Sequence, residues 1–155
     1  MYQKILVTLD GSPLAEQVLP HVKAVLEGRP EAQVYLLSVA QVIDPAAASA
    51  MLYPIAVYPG RLIDEQAERR RLEAELSGYL RGIELQLNQN GNPIYSEVRF
   101  GRPAEEIIGY AHDIQADLIA MSTHGRSGLA RWAYGSVADR VLTHAECPVL
   151  LVRAK

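Results

Sequence analysis

Apolar runs alternate with amphipathic stretches along most of this chain, beginning close to its first residue. Short apolar, β-branched or alternating runs predict buried strands at residues 5–9, 34–39, 94–100, 117–121 and 149–152. Between these runs, apolar residues recur every three or four positions, which predicts helices from Ser12 through Val25, over 62–87, from Pro103 onward and over 136–144. The elements therefore follow the order β-α-β-α-β-α-β-α-β.

This alternation predicts the α/β fold class. We expect an open five-stranded parallel sheet with helices on both faces, because helical crossovers join parallel strands and cover the sheet. Right-handed crossovers then favour a doubly wound, Rossmann-like strand order, 3-2-1-4-5. A length of 155 residues fits one domain, and we expect that domain to span 1–155.

Two boundaries stand out along the chain. Ser12 is placed to cap the first helix, with Pro13 at the first helical position, where a missing N–H group costs nothing.

Residues 44–60 contain three prolines among Ala, Met and Tyr residues. The prolines preclude one regular helix, and the apolar content argues against a merely solvated loop, so this segment is predicted to be a lid or a packing flap.

Composition narrows the functional classes. A net charge of -3 argues against binding to nucleic acid. No apolar run reaches membrane-spanning length, so no association with a membrane is expected either. The single cysteine, Cys147, cannot form an internal disulfide, which fits a reducing compartment. We therefore predict a cytoplasmic protein, in which Cys147 is a buried structural thiol.

Topology predicts where a ligand would bind. In open parallel sheets, ligands bind beyond the carboxyl ends of the strands at the point where the winding direction reverses, here between the first and fourth strands. The turns after those strands contain Asp10 and Ser122. Asp10 would either accept hydrogen bonds from a ribose hydroxyl or an exocyclic amine, or organise the turn before Ser12. Both interpretations are open at this stage.

The Gly135-Ser136 pair stands where the last predicted helix begins. Backbone N–H groups at a helix N-terminus bind phosphate without much positive charge. Ser136 would cap that helix, donate its hydroxyl to a phosphate oxygen, or do both.

These segments together resemble a known family. Ser122-Thr123-His124-Gly125, then nine residues and Gly135-Ser136, resembles the G-x2-G-x9-G-[ST] nucleotide loop in the ATP-binding branch of the universal stress protein family. Residues 5–12, 101–107 and 147–153 are similar to other segments of that family, so the resemblance covers essentially the whole chain.

Ser122 is the departure from the pattern, because it stands in place of the first glycine. If that position requires a positive φ, serine is strained there and affinity falls. If it requires only close approach of the backbone to the ligand, serine is among the smallest replacements, and its hydroxyl is available to the ribose.

The resemblance implies ATP as the ligand, with AMP or cyclic AMP as alternatives and Mg²⁺ accompanying ATP. It implies that Asp10 lies near adenine and ribose and that the backbone of Val39 contacts the adenine edge. The remaining implied site residues are Thr8, Leu9, Met121, Ser122, His124, Gly125, Gly135, Ser136 and Val137, with Arg126 paired to a terminal phosphate or exposed to solvent. His124 is expected to shape the loop rather than to catalyse.

The resemblance also implies a homodimer, formed by antiparallel pairing of the last strand, from Val149 to Val152, between two subunits. Three functions remain open. The favoured one is a stress-response module that binds a nucleotide and signals through partner contacts. A slow ATPase is less favoured, because no G-x4-G-K-[ST] loop is present. The third is a dimeric interaction protein that binds no nucleotide.

Overall fold

The parallel sheet is present in the computed structural model, which describes residues 1–41, 65–88, 91–124 and 135–154. Its strands are β1 (Lys4–Thr8), β2 (Gln33–Ala40), β3 (Ile94–Phe100), β4 (Leu118–His124) and β5 (Val149–Ala154). All neighbouring strands pair in parallel, in the order β3-β2-β1-β4-β5. The predicted order 3-2-1-4-5 is confirmed.

Helices cover both faces of this sheet, as predicted. They are α1 (Leu19–Leu26), α2 (Glu65–Leu87), α3 (Pro103–Asp113) and α4 (Ser136–His144). Because side chains alternate between the faces of a strand, Ile5 and Val7 of β1 pack into a core with α1 and α2. Leu6, between them, packs into the second core with α3 and α4. Among the described residues, no helix is both long and apolar enough to cross a membrane.

The first helix differs from the prediction. Ser12 accepts a 3.1 Å hydrogen bond from the Ala15 N–H at its hydroxyl, but the element that follows is a 3-10 helix, Ala15–Val18. The α-helix begins only at Leu19, with Pro20 in its first turn. Pro20 is tolerated in this first turn, but it has no N–H group to bond the carbonyl four residues earlier, and its ring would clash with that carbonyl. The residues before Leu19 therefore do not form one continuous α-helix with α1.

The fourth strand is longer than predicted. Residues from 122 onward were expected to form a loop, but β4 continues to His124 because Ser122, Thr123 and His124 pair with β5. The predicted flap at 44–60, the start of the 62–87 helix and most of the predicted glycine loop at 122–135 lie outside the described residues.

Gly101 sets the direction in which α3 leaves β3. Its φ is +152°, and a Cβ atom there would lie 2.7 Å from Oε1 of Glu106. The tight turn lets α3 begin at Pro103, at the carboxyl edge of the sheet. The N-terminus of α3 therefore lies at the same edge of the sheet as the N-terminus of α4.

Candidate functional site

A cavity of about 340 Å³ opens at the carboxyl ends of β1 and β4, where the sheet reverses its winding. Nine of the predicted site residues line it: Thr8, Leu9, Asp10, Val39, Met121, Ser122, Gly135, Ser136 and Val137. Residues from three strands and the start of α4 therefore meet at one place. A cavity of this size is within the range used by small ligands.

Six further residues line the cavity and were not predicted as site residues: Leu14, Ala15, Pro103, Ile107, Thr123 and Ala138. The turns after the first and fourth strands were predicted to form the site, whereas the helix that follows the third strand was not. A usable signal was present, since any helix that follows a parallel strand begins at the same edge of the sheet. Gly101-Arg102-Pro103 marks such a start.

Asp10 organises the turn after β1 and also lines the cavity. Its Oδ1 accepts a 2.9 Å hydrogen bond from the Ser12 N–H, so the interpretation of Asp10 as a turn residue is correct. Asp10 is nevertheless exposed at the cavity. A carboxylate has several acceptor positions, and one hydrogen bond does not use them all. The turn thus holds a hydrogen-bond acceptor in place for a ligand.

Ser122 does not occupy a left-handed conformation. It lies within β4, opposite Val152, and among the described non-glycine residues only Gln115 has a positive φ. Its hydroxyl donates a 3.3 Å hydrogen bond to the Ala15 carbonyl oxygen. The requirement for positive φ, one of the two alternatives left open for this position, therefore does not apply in this structure.

Gly135 supplies the conformation from which α4 starts. It is the N-cap residue, with φ of 98°, so Ser136 is the first helical residue and not the cap. The Gly135 carbonyl oxygen accepts a 2.9 Å hydrogen bond from the Asp139 N–H. Neither α3 nor α4 has a side-chain hydrogen bond at its N-cap. First-turn N–H groups at a helix start bind anions, aided by the helix dipole.

Three predicted site residues are not among the lining residues. Gly125 and Arg126 lie outside the described residues. His124 is the last residue of β4, so its backbone lies at the carboxyl edge of the sheet. Among the described residues, no group of three or more His, Cys, Asp or Glu side chains is arranged to hold a metal ion.

Cys147 lies away from this cavity, in a second groove between the C-terminal part of α3 and the segment before β5. It is a free thiol, half-buried rather than fully buried. Burial raises its pKa, and the negative charge of Asp117 adds to this effect. The thiol is therefore neutral near pH 7, which agrees with a structural role more than a reactive one.

The chain is similar to known proteins over nearly its whole length. Residues 1–153 match the family model of the universal stress protein family. The chain belongs to that family. Among its relatives, the universal stress protein MJ0531 of Methanocaldococcus jannaschii is 33% identical over 153 residues, covering 99% of this chain and 83% of that protein.

Solved structures of universal stress proteins share the fold. The structure of MJ0577, from the same archaeon, has a TM-score of 0.78 and 30% identity, covering 100% of this chain and 98% of that one. A universal stress protein in complex with cAMP has a TM-score of 0.67 at 19% identity, covering 99% of this chain and 98% of its own. A family member from Arabidopsis thaliana with AMP bound has a TM-score of 0.62 at 15% identity, covering 99% and 92%. At the identities of the last two, the likeness concerns the fold.

Proposed function

We propose that this universal stress protein binds an adenine nucleotide in the cavity between β1 and β4, with ATP as the main ligand and AMP or cyclic AMP as alternatives. One observation carries the proposal: nine residues chosen for nucleotide binding from the sequence line a single cavity, beside two helix N-termini. The cAMP and AMP complexes of other family members support the same ligand class.

The cavity offers different surroundings to the two ends of a nucleotide. Leu9, Val39 and Met121 supply apolar surface for a base, and Asp10 supplies an acceptor for ribose hydroxyl groups. Gly135 and Ser136 bring the start of α4 to the other side, where backbone N–H groups and the helix dipole favour phosphate. The site is suited to a ligand that is apolar at one end and anionic at the other.

We propose binding in preference to turnover. The sequence has no phosphate loop that ends in lysine, and Lys4, Lys23 and Lys155 all lie outside the 122–136 segment that resembles the nucleotide loop. Mg²⁺ would enter as the counter-ion of ATP. The bound nucleotide would then bias contacts with partner proteins in the cytoplasm, which is the signalling role proposed for the chain.

Homodimer formation through β5 is part of this proposal. β5 is an edge strand in the order β3-β2-β1-β4-β5, and four of its six residues are partly buried apolar side chains. An apolar edge strand is open to pairing with another chain. A second copy pairing antiparallel to β5 would cover it.

Calorimetric titration with ATP, AMP and adenosine, with and without Mg²⁺, tests the ligand. Ser136→Asp places a negative charge where the phosphates are proposed to bind, while an acidic residue in the first turn of α4 favours the helix. We expect about a tenfold or greater loss of affinity for ATP and AMP from charge repulsion, and little change for adenosine. Equal affinities of wild type and Ser136→Asp for ATP would place the phosphates elsewhere.

A second variant pair tests the cavity itself. Gly135→Val introduces a side chain beside the cavity at φ +98°, and Gly28→Val introduces the same strain at φ +71°, after α1. Both variants should lose stability, but only Gly135→Val should lose nucleotide binding at temperatures where both are folded. No heat and no thermal shift for the wild type at millimolar ATP would overturn the proposed function.

A further inference from the structure

We propose that Arg102 and Arg140 form a second phosphate-binding position at the rim of the cavity, specific for the outer phosphates of a nucleoside triphosphate and masked by Glu105 when no triphosphate is bound. This inference rests on the proposed function, because it assigns ligand specificity to the same cavity. It concerns residues outside the glycine pattern, of which Arg102 and Glu105 lie in the 101–107 segment that also resembles the family.

The contact that carries the inference joins two helices. Oε1 of Glu105 lies 3.3 Å from Nη1 of Arg102 and 3.7 Å from Nη2 of Arg140. Arg102 is the N-cap residue of α3, and Arg140 lies in the second turn of α4. Two guanidinium groups therefore share one carboxylate oxygen, and together these three side chains carry a net positive charge.

The position of this pair relative to the cavity follows from its neighbours in the chain. Arg102 directly precedes Pro103, which lines the cavity. Arg140 follows Ser136, another lining residue, by four positions, so the two lie on the same side of α4. The contact with Glu105 shows that the Arg140 side chain reaches toward α3. The arginine pair thus bridges the start of α3 and the first turns of α4, the helix beside which a phosphate is proposed to bind.

Among the described residues, Glu106 does not compete with Glu105 for the arginine pair. Glu106, next to Glu105, is directed to Arg99, whose Nη1 lies 3.8 Å from it. Arg99 also contacts Glu97 and Asp113 at 2.9 Å, so that cluster is satisfied without Arg102 or Arg140. Asp139, in the first turn of α4, is the acidic group adjacent to Arg140 in the chain.

Exposure makes the exchange of Glu105 for phosphate favourable. The side chains of Arg102 and Arg140 are 80% and 58% exposed, and that of Glu105 is 48% exposed, so the existing contacts are screened and weak. A phosphate group carries more charge than a carboxylate and accepts forked hydrogen bonds from guanidinium groups. It would displace Glu105 and engage both arginines. AMP has one phosphate, and that phosphate would be held by the start of α4.

The experiment compares the affinities of ATP, AMP and adenosine by calorimetry at constant, low salt. Arg102→Ala/Arg140→Ala should weaken ATP binding about tenfold while AMP and adenosine affinities stay within about twofold, because only the outer phosphates contact the pair. Glu105→Gln should strengthen ATP binding about threefold, since it removes the competing carboxylate. An increase in ATP affinity is not expected if Glu105 is merely structural.

A control of equal charge change is available on α2. Arg71→Ala/Arg81→Ala removes two exposed arginines, one of which contacts Glu68 at 3.8 Å in a similar exposed pair. It should leave the ratio of ATP to AMP affinities unchanged. If the alanine pair at 102 and 140 fails to fold, Arg102→Lys/Arg140→Lys keeps the charge and loses the forked geometry, and an intermediate loss of ATP affinity is expected.

The possible outcomes distinguish a failure of this inference alone from a failure of the proposed function. If ATP and AMP bind but their ratio is the same in wild type, Glu105→Gln and the arginine variants, the arginine pair is excluded and nucleotide binding stands. If the α2 control lowers ATP affinity as much as the arginine variants do, the effect is one of overall charge and the inference is wrong. If no nucleotide binds the wild type, the proposed function and this inference both fail.

Discussion

The hydroxyl of Ser122 donates a hydrogen bond to the carbonyl oxygen of Ala15 at 3.3 Å, linking the end of β4 to the 3-10 helix that follows β1. Both residues line the cavity, so the bond spans the gap between the two strands at which the sheet reverses its winding. A glycine at this position could not make it. The departure from the family pattern therefore adds a link across the cavity wall.

Removing this link should cost stability more than affinity. Ser122→Ala leaves the backbone conformation accessible but removes the donor, and we expect a loss of about 1 kcal/mol in the free energy of unfolding. Because the hydroxyl hydrogen is directed to Ala15, the Kd for AMP should change less than about threefold. Denaturant unfolding and calorimetry measure the two effects. Ser96→Ala, at an exposed position of β3, is the matched control. A loss of AMP affinity far above threefold would show that Ser122 contacts the ligand.

Asn92 joins the start of β3 to the loop between α1 and β2. It is 3% exposed, and its Nδ2 donates hydrogen bonds to the carbonyl oxygens of Arg29 (2.7 Å) and Ala32 (3.0 Å). Asn92→Ala should lower the free energy of unfolding by about 2 kcal/mol, because one partly buried and one buried hydrogen bond are lost. The exposed Asn88→Ala is the control, expected within about 0.5 kcal/mol of wild type. Equal stability of both variants would contradict the assigned role.

Gln115 ends α3 in a conformation that favours glycine. Its φ is 54°, and the hydrogen bonds from the Ala116 N–H to the Ala111 oxygen (2.8 Å) and from the Gln115 N–H to the His112 oxygen (3.0 Å) form a Schellman motif. Gln115→Gly should raise the free energy of unfolding by about 0.5 kcal/mol, since relief of left-handed strain exceeds the added freedom of the unfolded chain. Thermal or denaturant unfolding measures the gain.

The reciprocal change provides a control for Gln115. Gly28, at φ +71°, has open space where a Cβ atom would lie, so Gly28→Gln introduces the same strain without a clash. It should destabilise by a similar amount. A Gln115→Gly variant less stable than wild type would show that the Gln115 side chain contributes more than its backbone costs.

The β5 edge predicts a pair of proline variants with different outcomes. The Ile119 N–H donates to the Pro148 oxygen at 3.0 Å, and backbone groups alternate in direction along a strand. The backbone N–H group of Leu150 therefore faces β4, and that of Leu151 faces the open edge. Leu151→Pro should dissociate the proposed dimer and leave the subunit folded, whereas Leu150→Pro breaks a bond of the sheet and costs about 3 kcal/mol.

Sedimentation at micromolar concentration, with circular dichroism for folding, separates these proline variants. A wild-type chain that sediments as a monomer would exclude the dimer. A Leu151→Pro chain that remains dimeric would place the interface on another surface.

The raised pKa of Cys147 predicts slow thiol chemistry in the folded state. At pH 8 the folded chain holds less thiolate than the unfolded chain, so a disulfide reagent should react more slowly with native protein than with protein in denaturant. The native rate should keep rising with pH beyond the range in which an ordinary thiol has fully ionised. Equal rates in the two states would show that neither burial nor Asp117 affects the thiol.

The order of the elements and the arrangement of the sheet were predictable from the amino-acid sequence. Apolar residues repeat every second position in a strand and every three to four positions in a helix, so the repeat shows which positions of each segment are buried. This pattern is a local property of the chain. Chain chirality and the burial of both faces of a parallel sheet then left few topologies, so the order β3-β2-β1-β4-β5 was predictable. Topology and the resemblance to the family together indicated nine of the residues that line the cavity.

Contacts between groups that are distant in the chain arise from the packing of the folded elements. The hydroxyl of Ser122 was available to a ligand on sequence grounds, and packing directed it to the carbonyl of Ala15. Pro103 and Ile107 joined the cavity because α3 packs across the sheet beside α4. Arg102 and Arg140 share Glu105 for the same reason. Such contacts depend on strand register and helix packing, which hydrophobic periodicity does not encode, because it specifies the buried face of an element and not the neighbour that covers it.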